Sequence, residues 1–101
     1  MLRGILAAIF YHEQGRDRAE HRALRRMGAS PLEAMETILS VSPDQESRTV
    51  LMAIYLPHGI SIATVRSLLK RYNLDPACVA SQFFDQRRAR SFLQQLGLGD
   101  V

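Results

Sequence analysis

The chain has 101 residues, 47% of them hydrophobic, and a formal net charge of +3, which fits a single small domain over residues 1–101 with its own core. One cysteine, Cys78, excludes an internal disulfide and points to a reducing, cytoplasmic setting. No stretch approaches the roughly 18 consecutive apolar residues of a membrane span. A domain this small buries a modest share of its surface, which leaves room for self-association or a protein partner.

The charge is unevenly spread. Lys and Arg stand six against three Asp and Glu in residues 1–28, one against four in 29–59 and six against three in 60–101, so two basic ends flank an acidic middle. Twelve of the thirteen cations are Arg, the side chain suited to forked contacts with phosphate or carboxylate.

Taken in chain order, the first element is an apolar run from Gly4 to Tyr11 behind Arg3, read as part of the mature fold because no small-x-small cleavage site follows. Leu2, Ile5, Leu6, Ile9, Ala19, Ala23, Leu24 and Met27 nearly share one face of a helix over residues 2–27. "DRAE" at 17–20 nevertheless looks like a fresh start, so two helices meeting near Gly15 are preferred, the second ending at Gly28. On that second helix Arg18, His21, Arg22, Arg25 and Arg26 form a basic face opposite Ala19, Ala23 and Met27.

"SPLE" at 30–33, "SPDQ" at 42–45 and "DPAC" at 75–78 each place a capping side chain before a Pro whose missing N–H costs nothing at a helix start. Glu33 and Gln45 complete capping-box patterns with Ser30 and Ser42. Leu32, Met35, Ile38 and Leu39 then form one apolar stripe, and Ile62, Val65, Leu68, Leu69 and Tyr72 another. "VLMAIYL", 50–56, is apolar on every side and reads as a central, mostly buried helix. Beyond Pro76, Val79, Ala80, Phe83 and Phe84 face one way and Ala89, Phe92, Leu93 and Leu96 nearly the opposite way. Either the helix breaks near 85–88 or its second half meets another molecule. The fold class is all-α, a compact bundle of five or six short helices.

In "HGISIATVRSLLKRYN", residues 58–73, Gly59 permits a tight turn, Ile60 follows it, and Val65 and Leu68 hold a helix inward. Residues 58–72 resemble the turn and recognition helix of bacterial helix-turn-helix regulators. The resemblance implies a DNA-binding role with residues 61–72 in the major groove, contacted through Ala63, Thr64, Arg66, Ser67, Lys70 and Arg71. Tyr55 stands where that family places a small residue, and no strand pair follows to make a wing.

His12, His21, His58 and Cys78 are the only soft metal-ligand candidates, and none are paired at ligand spacing, so no metal is expected. Cys78 reads as a small packing residue. No glycine-rich phosphate loop, paired-carboxylate motif or Ser-His-Asp signature is present. The expectation is a protein that is not an enzyme and has neither a cofactor nor a small-molecule substrate.

The leading functional reading is an adaptor or inhibitor that docks on a partner protein. Its expected surface comprises Arg18, Arg22, Arg25, Arg26, Arg87, Arg88 and Arg90 together with the leftover apolar face of Phe92, Leu93 and Leu96. The alternative is a helix-turn-helix regulator binding DNA as a homodimer.

Overall fold

A computed structural model of the chain describes residues 16–98. Six helices and no strand occur among them: α1 over residues 16–26, α2 (Pro31–Val41), α3 (Gln45–Tyr55), α4 (Ile62–Arg71), α5 (Pro76–Ser81) and α6 (Gln86–Gln95). Helix α3 packs against both α2 and α5, and α6 packs on α5. The apolar run at residues 4–11 and the question of one helix or two over 2–27 fall largely outside the described residues. No helix among the described residues is long and apolar enough to cross a membrane.

Each of α2 to α6 starts on a Ser or Asp cap, which satisfies amides that a helix start leaves without partners. Ser30 forms the full box: its hydroxyl accepts from Glu33 N at 3.1 Å while Glu33 Oε1 accepts from Ser30 N at 3.1 Å. Asp75 caps α5 as expected, and Ser61 and Asp85 cap α4 and α6. The second start is corrected. Asp44, not Ser42, caps α3 by accepting from Ser47 N at 2.7 Å, so the Ser42–Gln45 box does not form. Ser42 instead ends α2, buried, its hydroxyl without a hydrogen-bond partner among the described residues.

Three helix ends share one device. The amides of Ala29, Leu74 and Leu98 donate to the carbonyls of Leu24, Leu69 and Leu93, five residues back. The residue before each, Gly28, Asn73 or Gly97, has positive φ, as this hydrogen-bond pattern requires.

The core joins Met35 and Leu39 of α2, Leu51 and Met52 of α3, Val65 and Leu68 of α4, Val79 of α5 and Phe92 of α6. The predicted stripes of α2 and α4 therefore both point inward, although Leu32, Ile62 and Tyr72 at their edges are half-buried. Helix α3 is less enclosed than its sequence suggests: Leu51, Met52 and Ala53 are buried, but Ile54 is exposed.

Replacing Ser30 with Ala is expected to lower stability by about 1 kcal/mol. Hydrogen bonds from Ser30 hold the Glu33 carboxyl below its ordinary pKa, and those from Ser47 do the same for Asp44. Depressed carboxyl pKa values mean that the unfolded chain takes up protons first, so these contributions are complete above the ordinary carboxylate range and vanish as pH falls through and below it. Urea melts across an acid pH series should show stability declining in that window.

Candidate docking surface

Of the two alternatives for residues 76–96, the structure shows the break. Helix α5 ends at Ser81, and Asp85 restarts the chain by accepting from Arg87 N at 2.9 Å. The break turns the second apolar face back into the molecule. Phe92 is only 7% exposed and meets Phe83 edge-on, with ring centroids 5.1 Å apart, while Leu93 and Leu96 pack half-buried on the same core. The apolar face expected to be left over for a partner is thus consumed by the fold itself.

The exposed aromatic is a different one. Phe83 turns inward, whereas Phe84, one residue beyond it and outside either helix, has a relative exposure of 104%. Side chains at Phe83 and Phe84 diverge because α5 has already ended, so helical spacing no longer sets their directions. Arg87 and Arg90 are exposed on the helix that follows. Arg87 lies in the first turn of α6, near the positive end of the helix dipole, which costs an exposed cation a few tenths of a kcal/mol.

The other expected partner contacts divide. Arg88 is half-buried, donates to the Leu56 carbonyl at the end of α3 and lies 5.1 Å from the Phe83 ring centre. Burial lowers its pKa, and the Asp85 carboxylate opposes that shift. It is a structural cation rather than a free one, a correction to its place in the expected partner surface. Arg25 is exposed but donates to the Ala29 carbonyl at 2.8 Å, closing the end of α1. Arg18, Arg22 and Arg26 are exposed, and Arg18 also hydrogen-bonds the Tyr55 side chain.

Helix α1 is rotated relative to its expected orientation. Ala19, Ala23 and Met27, its supposed inner side, are exposed, Met27 by 84%, while His21 and Leu24 are partly covered. The His21 ring stacks on Tyr55 with centroids 4.3 Å apart. Burial in this stack, with Arg25 adding to it, pushes the imidazole pKa down and favours the neutral ring. The two basic ends, distant in sequence, are consequently anchored at consecutive residues, α1 on Tyr55 and α6 on Leu56.

On α4, Ala63, Arg66, Ser67, Lys70 and Arg71 are exposed, as the helix-turn-helix resemblance requires of them. Thr64 is half-buried and its hydroxyl pairs with Ser61 Oγ at 2.8 Å, within the N-terminal cap. Arg71 forms an ion pair with Glu36 at 3.7 Å. That exposed pair adds little stability but places a carboxylate of the acidic segment beside the outer face of α4.

A groove of about 720 Å³ runs between the first half of α3, the α4–α5 connection and α5. Cys78 is exposed on it rather than packed inside, and its Sγ lies 3.6 Å from Asp75 Oδ2. That carboxylate raises the thiol pKa, the reverse of what an activated nucleophile needs. Among the described residues no group of three His, Cys, Asp or Glu side chains is placed to hold a metal ion.

Comparison with known proteins yields no matching family model, no matching curated protein and no matching solved structure.

Proposed function

We propose that the protein is a non-catalytic binding module, an adaptor or inhibitor that docks on a partner protein through the corner between α5 and α6. Full exposure of Phe84 is the observation that carries this reading. The core does not use that ring, and an exposed aromatic followed in sequence by exposed Arg side chains matches the residue types enriched at interfaces. Arg87 and Arg90 supply those cations, and the position of Arg87 near the positive end of α6 is relieved when an acidic group of a partner approaches. The basic face of α1, with Arg26 exposed on it, adds a second patch. The unpaired thiol is in keeping with a cytoplasmic setting.

The test is capture of partners from source-cell lysate by the immobilised chain, compared with Phe84→Ala and with Arg87→Ala plus Arg90→Ala. Partners retained by the parent chain and lost by both variants support the reading. Equal retention by all three chains removes the corner from it.

The exposed outer face of α4 supports a second reading, a helix-turn-helix DNA-binding regulator. Binding through several phosphates would weaken by orders of magnitude between about 50 mM and about 200 mM salt as counterions are released. Titration with mixed-sequence duplex should then show salt-sensitive affinity that Arg66→Ala and Lys70→Ala abolish. Absence of binding at the lower salt leaves α4 as a packing helix, which the neighbouring Glu36 favours.

A further inference from the structure

We propose that this corner docks into the groove of a second copy of the chain, with Phe84 entering towards Leu74 and Val50 while Arg87 and Arg90 meet Glu46 and Asp75. The proposal rests on the reading of the corner as a docking surface and names its occupant. Groove and corner are complementary in two respects. Leu74 is buried and Val50 half-buried where they line the groove, offering apolar contact to a phenyl ring, and the groove volume of about 720 Å³ exceeds what one ring requires. The charged residues lining it are both acidic, Glu46 and Asp75, whereas the exposed charges following Phe84 are the cap carboxylate Asp85 and the two cations Arg87 and Arg90, a net positive corner. Opposite potentials of this kind select partner and register.

Position favours a closed pair over an open chain of copies. Ser81 and Gln82 line the groove, only a few residues before Phe84. Projection and recess therefore lie side by side, and one two-fold axis can satisfy both copies at once. The contact is small. Each buried Phe contributes about 150–250 Å², and two of them with their surroundings fall below the area typical of permanent dimers, so the association should be weak and concentration-dependent.

Sedimentation equilibrium of the full chain from about 10 μM to about 1 mM tests this range of affinity. The expected result is a mass rising from 11.4 kDa towards twice that value, with Phe84→Ala weakening dimerisation about thirtyfold or more. Charge reversal supplies the specific test. Glu46→Arg alone and Arg87→Glu alone should each weaken the dimer, and the two together should restore it. Glu46 is the residue to change because Asp75 also caps α5; both Glu46 and Phe84 are exposed, and circular dichroism verifies that the variants fold. A mass of 11.4 kDa throughout, or a dimer indifferent to Phe84→Ala, overturns the second-copy assignment. The docking reading itself is judged separately by the capture experiment: a partner lost with Phe84→Ala from a chain that stays at 11.4 kDa keeps that reading and removes only the second copy.

Discussion

Phe92→Ala should lower the stability of this protein by about 3–5 kcal/mol, while Phe84→Ala should change it by less than about 0.5 kcal/mol. Phe92 is 7% exposed, touches Phe83 edge-on and belongs to the core shared by α2 to α6. Its removal forfeits both the transfer free energy of the ring and the contacts around the cavity left behind. A domain of this size has only about 5–15 kcal/mol in total, so the variant should melt far below the parent. Phe84 has no such contacts to lose. Paired urea and thermal melts decide the matter, and a large loss at Phe84 would mean that the ring is covered in solution. Leu93→Asp combined with Leu96→Asp should behave like Phe92→Ala, since both leucines pack on that core.

Helix class and inward faces were legible in the sequence because both depend on local spacing. Met35, Ile38 and Leu39 on α2, and Val65, Leu68 and Leu69 on α4, are buried as their periodicity predicts. Caps were legible in type more than in position. Ser and Asp both cap helices well, and Asp44 rather than the expected Ser42 caps α3 because α2 continues to Val41 and uses Ser42 to end. Faces chosen by distant contacts were not legible. Ala19, Ala23 and Met27 form the more apolar side of α1, yet the helix is held by a His21–Tyr55 stack across 34 residues of sequence.

The candidate site shows the same division. The sequence put two opposed apolar faces between residues 76 and 96 and left open whether the helix breaks or a partner covers the second face. Asp85 was the local signal for a break, since its side chain supplies the cap of α6. With the break, Phe92 moves to the core, and Phe84, which helical spacing had grouped with Phe83, is the ring left outside. Arg87 and Arg90 remain exposed, while Arg88 between them reaches the Leu56 carbonyl, 32 residues away. No charge count separates three neighbouring arginines into these roles, because the division depends on which face of α6 meets the end of α3.

Arg48→Met is expected to cost about 1.5–3 kcal/mol, the range for a hydrogen bond involving a charged group. Arg48 is the single cation in the acidic segment 29–59 and lies in the first turns of α3. Its Nε donates to the Leu39 carbonyl at 3.3 Å and its Nη2 to the Ser42 carbonyl at 2.9 Å, while the guanidinium lies 6.0 Å from the Tyr72 ring centre. One side chain thereby satisfies carbonyls at the end of α2, where the helix dipole also favours a cation, and ties that end to α3 and to the residue closing α4. Met keeps much of the aliphatic stem but offers the carbonyls no donor. Arg48→Lys separates the charge from the fork: a lysine retains the attraction to the helix end but presents a compact ammonium that cannot reproduce two divergent N–H groups. Its stability should fall between those of the parent and Arg48→Met in urea melts, with an unchanged m-value showing that the native fold is retained. Equal losses from both variants would assign the effect to the forked geometry, and no loss from either would show that water serves these carbonyls equally well.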